Sequence, residues 1–224
     1  MRHTLFQRIS ILLLFSSVAL HPIQAQTLML EKEDVRWVTN AHFGLGLRMG
    51  GDYDDQPEAL RPSLSRSDKG IYGELSIEYN PKELFIPFGI TAKGFHSSVD
   101  SPEARFSRNI FFVGPFFQVF CMEASRHLIR FRFGPGCLFY RSNGFAQEER
   151  TVSGTALGIN ANFAYSYFLT ESLALGLSLS ATTGELDKAK YVTPSREPEI
   201  LEFNEDERFQ LTHLGISAGA FWYF

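Results

Sequence analysis

The residues best suited to chemistry are His96, Ser98 and Asp100, which set an imidazole, a hydroxyl and a carboxylate within five positions. That trio is the minimum for acyl transfer, in which the imidazole takes the hydroxyl proton. Ser and Asp are also what any polar connection contains, so these three stay weak candidates and no catalytic residue is assigned. A second set is ionic: Arg48, Glu74, Glu78, Lys93, Arg130 and Arg132 each stand between apolar neighbours. Such charges either line an ion-selective eyelet or pair with one another in a packed interior, because buried charges need partners. A third set is acidic. Residues 184–207 hold Glu185, Asp187, Glu197, Glu199, Glu202, Glu205, Asp206 and Glu207 against Lys188, Lys190 and Arg196, a net of −5. With Asp52, Asp54 and Asp55 they could hold divalent cations or dock a basic partner; the plainer reading is a solvated connection. His42, His127 and His213 share no ligand spacing, and two Cys cannot build a four-ligand zinc site, so neither metal nor cofactor is expected.

The composition narrows what could position these groups. A chain of 224 residues with net charge −4 and pI near 5.9 has no electrostatic footprint for nucleic acid. Mean hydropathy of −0.09 excludes a bundle of membrane-spanning helices. Twenty-two Phe and eight Tyr exclude a disordered chain. Arg2 and Arg8 precede an apolar run ending at His21-Pro22, followed by small Ala25. Residues 1–25 therefore read as a cleaved secretory signal, and its loss takes the net charge from −4 to −6. A short segment, 26–37, leads into the folded domain, 38–224.

From Thr39 onward the dominant period is two. Eight alternating segments follow, led by Phe43, Ile71, Leu84, Phe111, Ile129, Leu157, Leu173 and Leu214. Connections alternate too, short at 80–83, 121–127 and 169–172 and long at 50–69, 95–108, 141–151 and 184–207. Short turns at one end and long loops at the other are the layout of a transmembrane β-barrel. An eight-stranded interior is only just wide enough for side chains to fill, so the roughly thirty large apolar residues belong on the lipid side. The opposite rows, mostly Gly, Ala, Ser and Asn, belong in the lumen together with the six charges. Trp37, Tyr79, Tyr167, Trp222 and Phe224 near strand ends suit an interfacial girdle. The fold expected is all-β: an eight-stranded antiparallel up-and-down transmembrane barrel with short periplasmic turns and long extracellular loops.

At this point the chain resembles the OmpA/OmpX-type outer-membrane barrels. The last strand ends Ile-Ser-Ala-Gly-Ala-Phe-Trp-Tyr-Phe, and in that family a terminal Phe with apolar residues at alternate positions is the assembly signal. Here those positions are Ile216, Ala218, Ala220, Trp222 and Phe224. The Phe-rich style also resembles the porin-family barrels common in Bacteroidota. The resemblance implies the outer membrane of a Gram-negative cell envelope, both termini periplasmic, and contact with membrane lipid, lipopolysaccharide and the barrel-assembly machinery. Some such barrels modify lipid A with His and Ser at the rim, the role that His96 and Ser98 would take. The leading expectation is a structural or interaction protein, possibly a subunit of an envelope complex, showing acidic loops on a plugged barrel. A small channel of the OmpW-like kind and a lipid A-modifying enzyme are the alternatives.

Three details test this register. Pro87, Pro115 and Pro135 fall inside expected strands, where proline cannot donate to the ladder, and a bulge shared by Pro115 and Pro135 would accommodate them. Cys121 and Cys137 lie too far apart along the expected hairpin for a disulfide. Arg130 and Arg132 are expected to pair with Glu74 and Glu78.

Overall fold

In the computed structural model, the described residues are 37–49, 68–81, 86–100, 105–145, 149–194, 197–203 and 209–224. The signal segment 1–25 and nearly all of 26–37 lie outside them, as do Asp52, Asp54, Asp55, Glu205 and Asp206.

Among the described residues eleven strands are present: β1 Trp37–Arg48, β2 Lys69–Tyr79, β3 Phe88–Asp100, β4 Arg105–Ala124, β5 His127–Phe145, β6 Glu149–Phe168, β7 Leu173–Leu186, β8 Lys188–Val192, β9 Glu199–Glu202, β10 Phe209–Gln210 and β11 His213–Tyr223. Each of β1 to β7 pairs antiparallel with the next; β7 pairs with β11, and β11 with β1. Eight strands thus close a barrel, so no open sheet edge is left over its height, as a lipid-exposed sheet requires.

Alternation sets the two faces, as period two requires. On β2, Tyr72, Glu74, Ser76 and Glu78 are buried while Ile71, Leu75 and Ile77 are exposed. Phe43, Leu45, Leu157, Leu177 and Ile216 form part of the same outward apolar band. At the turn end the band finishes in aromatic rings, with Trp37 stacked 4.7 Å from Tyr79 and Tyr79 5.8 Å from Phe88.

Four expectations need correction. The first concerns the lumen, which is not lined only by small and polar residues: Tyr72, Phe95, Ile110, Phe112, Phe116, Leu138, Tyr140 and Phe221 are buried inside. On β4 both faces are apolar, so alternation gives no contrast there. The second concerns connections. Residues 95–108 and 141–151 are mainly strand, leaving only 101–104 and 146–148 between the β3–β4 and β5–β6 pairs. Residues 184–207 carry the β8–β9 hairpin. β6 runs past the point where β7 leaves it at Gly158, and β8 pairs with Thr151, Val152 and Ser153 there. An exposed row of backbone donors and acceptors needs such a partner.

Third, no bulge lies at the prolines. Pro115 and Pro135 face each other between the Val113↔Cys137 and Phe117↔Phe133 pairs, on one continuous register. The rings interrupt hydrogen bonding without adding a residue. A Cβ on Gly114 would meet the Pro135 carbonyl oxygen, which is why glycine sits at this close approach. The register shift falls instead between Gln118 and Phe120, so Val119 is the extra residue and the inward set on β4 changes from even to odd numbers. Pro87 lies just outside β3, which begins at Phe88, and its carbonyl accepts from the Gln118 N–H at 2.9 Å.

Fourth, the β4–β5 turn is the two residues Ser125 and Arg126, with Ser125 in the left-handed region at φ 56°, rather than the whole of 121–127. Cys121 pairs with Arg130, and Cys137 with Val113 eight positions higher on β4. At about 3.3 Å per residue that is roughly 26 Å, beyond the ~7 Å reach of a disulfide, and both thiols are free. Non-reducing mass mapping should therefore find no Cys121–Cys137 bridge. Cys137, exposed on the lipid side, should react with an apolar maleimide well before half-buried Cys121; the reverse order would refute this register.

Candidate functional site: the packed lumen and its outer rim

Each lumen side chain owes its place to strand parity. Arg48, Glu74, Glu78, Lys93, Arg130 and Arg132 all point inward and are buried. Glu74 and Lys93 are directly opposed on β2 and β3, with Nζ 3.4 Å from Oε2. Lys93 also donates to Ser180 Oγ at 2.9 Å, while Tyr72 Oη and Asn162 Nδ2 donate to Glu74 at 3.2 and 3.1 Å. Asn160 donates to Thr182 Oγ1 at 2.8 Å, so polar groups from β2, β3, β6 and β7 form one mid-height layer.

Glu78 has a different set of partners. Arg132 Nη2 lies 2.7 Å from its Oε2 and Arg130 Nη1 lies 3.9 Å from its Oε1. The expected sharing with Glu74 is not found: both guanidinium groups reach across to Glu78, and Glu74 belongs to Lys93. The aromatic rings assist. Arg130 stacks 4.2 Å over Phe221 and Arg132 4.9 Å over Phe116, contacts that favour a desolvated guanidinium.

Arg48 belongs to a separate group near the loop end, where Asp68 is shared by Arg48 Nη1 at 3.3 Å and Arg108 Nη1 at 3.1 Å. Asp68 and Arg108 are absent from the sequence-based set, because both lie in stretches that read as loops. Arg108 shares the parity of Ile110 and Phe112, and that is the signal available for it.

Apolar clusters close both ends. Val38, Ala164, Ala174 and Phe221 pack at the turn end, with Phe168 and Tyr223 against them. Phe95, Ile110, Phe112, Leu138, Tyr140, Leu186 and Leu211 pack towards the loop end. His42 stands edge-on to Phe221 at 4.7 Å, and His213 lies 5.8 Å from Phe95. His127 is at the turn, beside Tyr165. No group of three or more potential metal ligands occurs among the described residues.

At the rim, His96 and Ser98 share the outward face of β3, as expected. His96 Nδ1 is hydrogen-bonded to Asn109 Oδ1 at 2.8 Å, and Asp100 is paired with Arg105 at 2.9 Å. The histidine and the carboxylate thus have partners other than each other. Glu202 lies exposed on β9, hydrogen-bonded to Lys188, which holds its carboxyl below the usual range. The β8–β9 hairpin containing this pair stands beside β6. Ile216, Ala218, Ala220, Trp222 and Phe224 follow one another on the outward face up to the chain end.

No protein-family model matches the chain, and no curated protein matches it. Solved structures do. A major outer membrane protein from Thermus thermophilus is similar at 12% identity and TM-score 0.58, over 84% of this chain and 99% of that one. Neisserial surface protein A is similar at 13% identity and TM-score 0.48, covering 84% and 97%. Ail, the attachment invasion locus protein of Yersinia pestis, is similar at 11% identity and TM-score 0.43, covering 85% and 99%. The resemblance to Bacteroidota barrels gains no support from these matches. With the closed eight-strand ladder, the lipid-facing apolar band and the Thermus likeness together, the chain has the fold of an outer-membrane β-barrel.

Proposed function

We propose that this protein is an integral outer-membrane protein of a Gram-negative bacterium, with both termini periplasmic and a structural or interaction role. Its barrel is a sealed anchor, and its contacts with envelope partners are made at the loop end. The observation that carries this reading is the layered lumen. Two apolar clusters and the ion-paired layers between them occupy the interior of an eight-stranded barrel, which has no spare width. Chain length beyond the membrane supports the same reading. β4, β5 and β6 are 20, 19 and 20 residues long, about twice the roughly 9–11 that a tilted strand needs to span. Their excess, with β8 and β9 beside β6, is a folded surface outside the bilayer. The acidic residues of 184–207 make a basic protein partner, or divalent cations, the matching chemistry.

Planar-bilayer recording is the test. The refolded protein should give no conductance steps above the lipid baseline in molar potassium chloride. Regular steps would overturn the sealed-anchor reading in favour of a small channel. Altered lipid A mass spectra in cells expressing the protein would favour an enzyme instead.

A further inference from the structure

The outward face of β3 differs from its neighbours. From the turn end its outward residues run Phe88, Ile90, Ala92, Gly94, His96 and Ser98, so bulk falls away beyond Ile90. Gly94 stands opposite Gly73 on β2, and both occupy lipid-facing positions. A Cβ built on Gly73 would meet nothing closer than 3.8 Å, and one on Gly94 nothing closer than 4.0 Å. Neither glycine is imposed by crowding. Phe43 on β1 lies beside Gly73 and Phe111 on β4 beside Gly94, 67% and 46% exposed, so two rings wall a shallow trough. Towards the loop end it meets a groove of about 630 Å³ lined by Leu45, Leu47, Lys69, Ile71, His96 and Ser98.

This groove opens at the edge of the apolar band. The first polar outward side chain is Lys69 on β2, His96 on β3, Asn109 on β4 and Arg141 on β5. His96, Asn109 and Arg141 share one register row, and Lys69 is one outward position above it. Among the described outward residues of these rows the charge has one sign. Among the described residues Lys69 and Arg141 have no ion-pair partner, whereas Asp100, the outward carboxylate on β3, is taken by Arg105. Three strand spacings of about 4.8 Å set the two cations roughly 14 Å apart around the barrel. That is wider than one phosphate.

We propose that this strip binds a bis-phosphorylated glycolipid of the surrounding leaflet. One acyl chain lies in the trough over Gly73 and Gly94, between Phe43 and Phe111. The two phosphates are met by Lys69 and Arg141, with the hydrogen-bonded His96–Asn109 pair beneath the sugar between them. The apolar band supplies the hydrocarbon surroundings and the unmatched cations supply the preference for anionic headgroups. The site rests on the membrane-inserted reading above but not on a sealed lumen.

Native mass spectrometry of the detergent-refolded mature chain tests it, using bis-phosphorylated lipid A, its dephosphorylated form, phosphatidylcholine and inorganic phosphate as separate probes. Only bis-phosphorylated lipid A should persist as an adduct. Each cation near an anionic lipid is worth about a factor of five, so Lys69→Gln with Arg141→Gln should weaken it about 30-fold. Gly94→Leu fills the trough without changing charge and should weaken it several-fold. Unchanged affinity in either variant, or equal binding of the dephosphorylated lipid, overturns the proposal. Heat-modifiable migration of every variant reports the barrel separately: a wild-type chain that never shows it refutes the membrane reading rather than this site.

Discussion

Replacing Glu78 with Leu should lower the unfolding free energy of the barrel by about 3–5 kcal/mol, the cost of stranding buried charge. Both Arg130 and Arg132 depend on this one carboxylate, at 3.9 and 2.7 Å, and all three side chains are at most 3% exposed. The substitution therefore leaves two desolvated guanidinium groups facing each other. Their stacking on Phe221 and Phe116 does not offset that loss, since each such contact contributes only about 0.5–2 kcal/mol and exists already. Urea unfolding in lipid vesicles reads the effect. Trp37 and Trp222, the only two tryptophans, sit at the same end of the barrel and serve as reporters. Adding Arg130→Met and Arg132→Leu to Glu78→Leu should return most of the stability, because a matched apolar set is often neutral or better. A loss below about 1 kcal/mol for the single variant would mean that water reaches this layer, and the sealed lumen would fall with it.

Removing Trp222, Tyr223 and Phe224 should leave a secreted chain that is not inserted and is cut by protease, with heat-modifiable migration abolished. These residues close the seam. Thr39 pairs with Trp222 and Val38 with Tyr223, and Phe224 exchanges both backbone hydrogen bonds with Trp37, at 2.9 and 3.2 Å. Without them the first residues of β1 keep β2 but lose their partner on the β11 side, and unpaired backbone is costly in hydrocarbon. Tyr223 also lies 5.8 Å from the Arg130 guanidinium, so the truncation opens the turn-end layer too. The resemblance noted for the last strand implies that the same residues carry an assembly signal, which this truncation also tests. Tyr223→Phe keeps the outward pattern and the ladder and should insert normally. A truncated chain that still migrates as a folded barrel would remove both the seam argument and the signal.

Which residues face in and which face out is legible in the sequence, because a strand puts alternate side chains on opposite faces. Glu74, Glu78, Lys93, Arg130 and Arg132 are inside for that local reason, and Leu45, Leu157 and Leu177 outside. Alternation loses contrast where both rows are apolar, as at Ile110, Phe111 and Phe112. Beyond the membrane, polar strand reads as loop, which is what hides Arg108, while Asp68 stands just before β2 at the end of the connection itself. Polar residues on both faces are what a strand carries in water as well as what a connection carries.

Partnership across the lumen is not legible in the same way. That Arg130 meets Glu78 rather than Glu74 depends on how β2 and β5 are staggered around the closed barrel, a property of all the intervening registers together. The extra residue at Val119 shifts that stagger on β4, and no local pattern marks it. The position of β8 is likewise decided by β6, whose backbone beyond Gly158 needs a partner that β7 no longer supplies. Sequence by itself determined the alternation, the eight barrel strands and the lipid-facing band, since each follows from short-range chain geometry. Only the tertiary structure decided the pairing of Arg130 and Arg132 with Glu78 and the apolar plugs, which closure assembles from opposite walls, and the bare trough along β3, which needs the exact registers of β1 to β4.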